Sequence, residues 1–295
     1  MILNLPVPVK LSRKIDARLL FPLPGGEGQG EGGRENQNST RFEFRVSGFF
    51  RISAFYIRIC CLAVFLLGAS AVFAENTAIV PVARTFPTNW TSLHESFLAQ
   101  ARRGGIDLLF LGDSITAGWM WDKGGLNVWN RYYAPRHAAE FGIGYDRTQN
   151  VLWRIEHGEL DGLRPKVVVL LIGTNNSGYE DNGKPRNTTP EVVEGVAAVV
   201  HEVRVRLPHS KILLLGIFPR GPKNDPIREQ VHDINAQLAK LDDGKTVKFL
   251  DIGAKFLSPD GKLSRDIMPD LLHPNERGYE IWAQSMAPTL DEMMK

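Results

Sequence analysis

Along residues 88–293, short apolar runs alternate with longer segments whose apolar residues recur at helical spacing. The short runs are typical of strands buried on both faces of a sheet, and they lie at residues 108–111, 138–143, 167–172, 211–218 and 247–250. The longer segments predict helices at residues 88–103, 124–133, 147–157, 189–207, 226–241 and 275–293. Because helical crossovers between strands require parallel pairing and cover both faces, the pattern predicts a three-layer α/β/α domain with about five parallel strands.

Two helices allow more detailed predictions. Thr189 is expected to cap the helix at residues 189–207, with Pro190 at the first helical position and Glu191 interacting favourably with the helix dipole. The helix at residues 88–103 carries His94, which lacks the second histidine of a zinc-binding helix. We therefore expect His94 to be a surface residue.

The first 50 residues lack this periodicity. They are rich in Pro, Gly, Glu and Asn, and the Gly-rich run at residues 24–33 joins no strand to a helix, so it does not indicate phosphate binding. Residues 1–50 are therefore expected to be a disordered low-complexity leader. A wrongly assigned start of translation remains an alternative.

Residues 51–74 have the pattern of a signal peptide. Arg58 precedes an uncharged apolar run at residues 59–71, and small residues lead to Ala74. A retained membrane anchor is the alternative, but the run is shorter than the roughly 20 apolar residues of a spanning helix. We expect cleavage near Ala74, which predicts a secreted or periplasmic protein without a stable membrane anchor.

Cleavage at this point would change both cysteine content and charge. Cys60 and Cys61 lie in the apolar run, so residues 75–295 contain no cysteine for a disulfide, a thiol nucleophile or a metal. Residues 1–74 hold nine of the 35 basic residues and five of the 33 acidic ones, which leaves 26 basic against 28 acidic residues. The remaining domain is therefore not basic, and nothing in its charge points to nucleic acid.

Polar residues follow three of the predicted strands. Ser114 comes after the first strand in Gly112-Asp113-Ser114, Tyr145 follows the second, and Asn175 follows the third. Parallel strands bring their carboxyl ends to one edge of the sheet, where ligands bind in open α/β folds. An ordinary strand-to-helix turn is the alternative for Ser114 taken alone.

A further pair of polar residues precedes the last helix. Asp270 and His273 are three residues apart, so both side chains can point the same way in a helical turn. Ester hydrolysis needs a nucleophile, a base and a group that orients the base. Ser114, His273 and Asp270 can fill these roles in that order, although a helix cap and a surface histidine would explain Asp270 and His273 separately.

An oxyanion also needs hydrogen-bond donors. The backbone N–H groups of Ser114 and Tyr145 and the side-chain amide of Asn175 are the candidates, and losing one such donor typically costs about 3 kcal/mol. Asp113 and Gly144 are expected to support the turns. Three aromatic residues close to these turns in the sequence are candidates for substrate binding, with core packing as the alternative: Trp119, Trp121 and Tyr145.

Taken together, these segments resemble the SGNH (GDSL-type) esterases and lipases, and within them bacterial relatives of the catalytic subunits of platelet-activating factor acetylhydrolase. The resemblance covers roughly residues 88–292 and rests on Phe110-Leu111-Gly112-Asp113-Ser114, Phe141-Gly142-Ile143-Gly144, Val151-Leu152-Trp153-Arg154, Gly173-Thr174-Asn175-Asn176, Pro219-Arg220-Gly221 and Asp270-Leu271-Leu272-His273. It implies a flavodoxin-like sheet, a Ser/His/Asp triad and no cofactor.

Tyr145 departs from that family, in which a glycine usually supplies the oxyanion donor at this position. Any residue except proline offers a backbone N–H, so Tyr145 can serve if its φ need not be positive. We also hypothesise that its ring limits the size of the acyl group.

The sequence thus predicts a serine esterase at residues 75–295 that removes short acyl groups, in particular acetyl, from an exported small-molecule or carbohydrate ester. A phospholipid or lysophospholipid acylhydrolase is the alternative within the same class. A non-catalytic carbohydrate-binding protein on an esterase scaffold is the alternative of another class. No metal or nucleic-acid partner is expected, and a homodimer is left open.

Overall fold

The structure is a computed structural model that describes residues 75–295. The low-complexity leader predicted at residues 1–50 and the signal peptide predicted at residues 51–74 lie outside the described residues. Within residues 75–295, no helix combines the length and the apolar character that crossing a bilayer requires.

One sheet of five strands forms the centre of the fold. The strands are β1 (Leu108–Gly112), β2 (Ala138–Gly142), β3 (Val167–Leu171), β4 (Lys211–Leu215) and β5 (Val247–Leu250). They lie in the order β2-β1-β3-β4-β5, and all neighbouring strands run parallel, which confirms the predicted α/β class.

Helices cover both faces of this sheet, as the predicted three-layer architecture requires. The helices are α1 (Trp90–Arg103), α2 (Ser114–Ala117), α3 (Leu126–Tyr132), α4 (Thr148–Glu156), α5 (Thr189–Arg206), α6 (Pro226–Leu238) and α7 (Glu276–Met293). One core cluster joins α1, α4, α5 and α6 to the sheet, and a second cluster joins α2, α3 and α7 to its other face.

The central strand β3 explains why periodicity identified the sheet so clearly. Val168 and Leu170 belong to one core cluster, while Val167, Val169 and Leu171 belong to the other. Since both faces are buried, every position favours an apolar side chain, and each fully buried one contributes about 1.5–3 kcal/mol.

Several predicted boundaries differ from the observed ones by one to three residues, and two of these errors have a clear physical reason. The cap of α5 is Thr188 rather than Thr189, because Thr188 forms a reciprocal capping box with Glu191. Strand β4 ends at Leu215 rather than at residue 218. Beyond that point Asn235 of α6 pairs with both backbone groups of Ile217, at 2.8 and 2.9 Å, and so replaces a neighbouring strand.

Candidate active site

Only glycine fits at the last position of β1, where the chain turns toward α2. A β-carbon on Gly112 would lie 2.3 Å from the carbonyl oxygen of Leu171 on β3. Asp113 follows as the N-cap of α2, and its Oδ1 accepts the N–H of Ile115 at 2.9 Å. Asp113 thus caps α2, and Ser114 becomes the first residue of α2 at the carboxyl edge of the sheet.

Ser114, His273 and Asp270 lie in contact, although 159 positions separate the serine from the histidine in the sequence. His273 Nε2 is 2.9 Å from Ser114 Oγ, and His273 Nδ1 is 2.6 Å from Asp270 Oδ2. The other carboxylate oxygen, Asp270 Oδ1, accepts the backbone N–H groups of Leu272 and His273 at 3.0 and 2.7 Å. The turn thus orients the carboxylate, and the carboxylate orients the imidazole.

Asp270 is stabilised in its ionised form. Partial burial opposes ionisation, but hydrogen bonds from the His273 side chain and backbone and from the Leu272 backbone lower the pKa of Asp270 below its usual value. An ionised Asp270 accepts a hydrogen bond from the protonated Nδ1 of His273, which leaves Nε2 free to accept the proton of Ser114.

A second side of this edge is formed by the segments after β2 and β3. The Asn175 side-chain amide donates to the carbonyl oxygen of Asp146 at 3.0 Å, which ties the two segments together. A β-carbon built on Gly144 would have only Ser114 Cβ within 4 Å, at 3.9 Å. Gly144 therefore lies beside Ser114, close enough that a side chain at this position would contact the serine.

Tyr145 has a backbone conformation that glycine would adopt more readily. Its φ is +66°, in the left-handed region, which costs a non-glycine residue of order 1–2 kcal/mol. The condition that φ at position 145 need not be positive is therefore not met, yet the fold holds Tyr145 in this conformation. The turn keeps the backbone shape that suits glycine, while the Tyr145 ring is 56% exposed and packs 5.1 Å from Phe86.

Trp119 is not available to a substrate, so the prediction that it contacts one is wrong. Its side chain has no exposed surface, and it packs in a cluster of aromatic rings formed by Phe110, Trp129, Tyr133, Tyr279 and Trp282. A 3₁₀ turn at Gly118–Met120 points Trp119 inward. Trp121, just after that turn, is 43% exposed and its ring lies 5.5 Å from the His273 ring.

Beneath the site lies a buried polar network that the sequence reasoning missed. Arg154 has no exposed surface, and its Nε lies 2.9 Å from Asp146 Oδ2. Arg154 also pairs with Glu159, whose other oxygen contacts His94 Nδ1 at 2.9 Å. Trp90 Nε1 donates to Asp146 Oδ1 at 2.7 Å.

The prediction that His94 is a surface residue is therefore wrong. It is 4% exposed because the buried Glu159 requires a polar partner. The inward face of α1 consists of Trp90, His94, Phe97 and Ala101, a helical spacing that would have identified His94 from the sequence.

Arg154 links this network to the active-site turns. Its guanidinium donates to the carbonyl oxygens of Gly112 at 3.1 Å and Phe141 at 3.2 Å. These carbonyls belong to the ends of β1 and β2, just before Ser114 and Tyr145. Arg154 thus fixes the two strand ends relative to each other.

The pKa of Asp113, the titratable residue of this turn, is strongly shifted. Burial raises the pKa of Asp113 to about 7, although the hydrogen bond from Ile115 opposes the shift. Within residues 75–295, its Oδ2 has no hydrogen-bond partner. The folded protein therefore favours a protonated Asp113 at mildly acidic pH.

This shift predicts a pH-dependent stability. Since the pKa of Asp113 rises from 3.8 to about 7 on folding, the folded state binds more protons between these values and loses stability as pH rises through them. Asp113→Asn keeps the capping oxygen and removes the titration. Between pH 5 and pH 7, we expect the wild-type free energy of unfolding to fall by about 2 kcal/mol more than that of the variant.

Urea denaturation at the two pH values measures this difference. Asp122→Asn, at an exposed position, is the matched control and should behave like the wild type. An identical pH dependence in Asp113→Asn and the wild type would contradict the argument.

Comparison with known proteins agrees with this geometry. The model of the GDSL-like lipase/acylhydrolase family matches residues 110–281. The chain is 37% identical over 191 residues to the human platelet-activating factor acetylhydrolase IB subunit alpha1, which covers 64% of this chain and 78% of that protein. The rat alpha2 subunit is 38% identical over 192 residues, with 64% and 78% covered.

A solved structure shares the fold. A GDSL-like lipase from Bacteroides thetaiotaomicron superposes with a TM-score of 0.51 at 15% identity, covering 68% of this chain and 97% of that one. The family match includes Ser114 and Asp270 to His273, which meet at the edge of the sheet. The chain belongs to the GDSL-like lipase/acylhydrolase family of SGNH-fold carboxylic ester hydrolases.

Proposed function

We propose that this chain hydrolyses short acyl esters, in particular acetyl esters of an exported carbohydrate or small molecule, with Ser114 as nucleophile, His273 as general base and acid, and Asp270 as the group that orients His273. The observation that carries the proposal is the continuous contact from Ser114 Oγ through the His273 ring to Asp270, at 2.9 and 2.6 Å. The acetylhydrolase names of the relatives support an acetyl substrate.

In the first half of the reaction, Ser114 Oγ attacks the ester carbonyl carbon and its proton passes to His273 Nε2. The carbonyl oxygen becomes negatively charged and accepts hydrogen bonds from the N–H groups of Ser114 and Tyr145 and from the Asn175 amide. The bond to the alcohol oxygen then breaks, and His273 returns the proton to that oxygen. The products of this half are the free alcohol and an acyl-Ser114 enzyme.

In the second half, water attacks the acyl carbonyl and loses a proton to His273. Collapse of the second tetrahedral intermediate breaks the bond to Ser114, and His273 gives the proton back to Ser114 Oγ. The orientation of Asn175 by the Asp146 carbonyl, at 3.0 Å, supports its role as an oxyanion donor because a held amide need not reorganise during the reaction.

A panel of 4-nitrophenyl esters from acetate to palmitate tests the substrate. We expect kcat/KM to be highest for acetate and to fall with chain length, and Tyr145→Gly to shift this profile toward longer chains. A preference for long-chain lipid esters would favour a phospholipid acylhydrolase, and sugar binding without turnover would favour a non-catalytic protein.

Protein recovered outside the cytoplasmic membrane is expected to begin at Glu75, as export with cleavage near Ala74 requires.

A further inference from the structure

A cavity of about 590 Å³ lies along β2, the outer strand of the described sheet, between α1 and the segment that follows α2. Its volume is within the range of small-molecule sites and far exceeds the needs of an acetyl group. The cavity is bordered by Leu93, Phe97, Trp121, Trp129, Glu140 and Gly144, among others. Ser114, Asn175 and His273 are not part of its lining, so it is a neighbour of the active site.

Two residues connect this cavity to the active site. Gly144 borders the cavity, and a β-carbon built on it would contact Ser114 Cβ at 3.9 Å, so the missing side chain leaves room beside the serine. Trp121 also borders the cavity and lies 5.5 Å, ring to ring, from His273. A molecule bound to Ser114 can therefore extend into the cavity along Gly144 and Trp121.

The position of His273 decides which half of the ester enters. The alcohol oxygen must lie within hydrogen-bond reach of His273 Nε2 because it receives its proton there. Since Trp121 adjoins both His273 and the cavity, the cavity gives the alcohol half of the ester room to extend. In the proposed reaction, the carbonyl oxygen instead faces the donors of Ser114, Tyr145 and Asn175.

The cavity combines apolar walls with a few polar side chains. Trp121, at 43% exposure, supplies an aromatic surface, while Phe97 and Trp129 border the cavity but are almost fully buried. Glu140 is the acidic group, and within the described residues one of its carboxyl oxygens accepts the N–H of Gly142. Asn89 borders the same cavity, and its side chain makes no capping hydrogen bond to α1.

These polar groups suit a hydroxylated ligand better than a cation. Desolvation raises the pKa of Glu140 to about 8, so at neutral pH its carboxyl group is mostly protonated and can both donate and accept hydrogen bonds. An amide such as that of Asn89 has the same capacity. The exposed ring of Trp121, together with groups that both donate and accept hydrogen bonds, matches a sugar ring, which has apolar faces and hydroxyl groups at its rim.

On the basis of the proposed function, we propose that this cavity is the subsite for the alcohol half of the substrate, that its occupant is a sugar or similar polyol, and that Glu140 is its specificity-determining residue. Glu140 hydrogen-bonds a hydroxyl group of the polyol. Trp121 supports the ring beside His273.

The test compares three acetyl esters of different alcohols in the full chain: a methyl O-acetyl-xyloside, ethyl acetate and acetylcholine. We expect the acetylated glycoside to have the highest kcat/KM. In Glu140→Gln, which keeps an oxygen for the Gly142 N–H, the ratio of kcat/KM for the glycoside to that for ethyl acetate should fall about five- to tenfold, mainly through KM, as expected for one weakened hydrogen bond.

Glu95→Gln, the same substitution at an exposed position of α1, is the matched control and should leave the ratio unchanged. Gln100→Leu removes the amide of another residue that borders the cavity, so it should also lower the ratio. This variant provides the test if Glu140→Gln fails to fold.

Two results would overturn the proposal while leaving the esterase function intact. An equal loss for glycoside and ethyl acetate in Glu140→Gln would indicate a structural role only. A preference for acetylcholine that Glu140→Gln abolishes would indicate a cation subsite. Failure of the esterase function itself would be distinct, since no ester would then be hydrolysed in a way that depends on Ser114.

Discussion

Ser114→Ala is expected to lower kcat/KM for short acetyl esters by about 10⁴- to 10⁶-fold. The variant loses the atom that forms the acyl-enzyme, so His273 and Asp270 have no hydroxyl group to activate. Because the three side chains act as a unit, His273→Ala should cause a similar loss, and the double variant should be no worse than either single variant. The assay is initial-rate hydrolysis of 4-nitrophenyl acetate.

Ser96→Ala is the matched control for this prediction. Ser96 lies on the exposed side of α1, and its hydroxyl donates only to the Leu93 carbonyl, at 2.7 Å. Its activity should equal that of the wild type. Ser114→Ala should fold like the wild type and keep the backbone and Asn175 oxyanion donors, since the Asp113 cap of α2 does not use the Ser114 side chain. Activity in Ser114→Ala close to the wild-type value would remove Ser114 as nucleophile.

How far the fold was predictable depends on where each residue lies. Strand β3 was predictable because every one of its residues faces a core. Ser114, Tyr145 and Asn175 each come shortly after a strand, and parallel pairing alone predicts that they lie at the same edge of the sheet. The contact of His273 with Ser114 could be hypothesised from chemistry but not from periodicity, because the segment before α7 is irregular and includes Leu271 at a φ of +61°.

The errors have a common physical origin in side chains whose direction is set by tertiary contacts. Trp119 and Trp121 are two positions apart with the same chemistry, yet a 3₁₀ turn buries one and exposes the other. His94 and Arg154 look like surface residues because they are polar, although each lies at helical spacing with buried neighbours. Their burial depends on Glu159, which is distant from His94 in the sequence.

Arg154→Met is expected to reduce the free energy of unfolding by about 3–5 kcal/mol, the cost of leaving buried charges without their partner. Although burial opposes its charge, Glu159 and Asp146 raise the pKa of Arg154 above its usual value, so the residue stays protonated. Removing it leaves two buried carboxylates and two carbonyl oxygens without their charged donor. Urea denaturation at pH 7 measures the change, with the exposed Arg102→Met of α1 as control.

A triple variant separates the charge effect from simple loss of packing. Arg154→Met combined with Asp146→Asn and Glu159→Gln removes every charge that the single change leaves unpaired, so it should recover a large part of the lost stability. If the triple variant is as unstable as Arg154→Met, packing and the Gly112 and Phe141 carbonyls account for the loss. If Arg154→Met unfolds at the wild-type urea concentration, the network contributes no stability. In the expected case, the turns before Ser114 and Tyr145 depend on a charge balance beneath the sheet edge, and kcat for acetyl esters should fall along with stability.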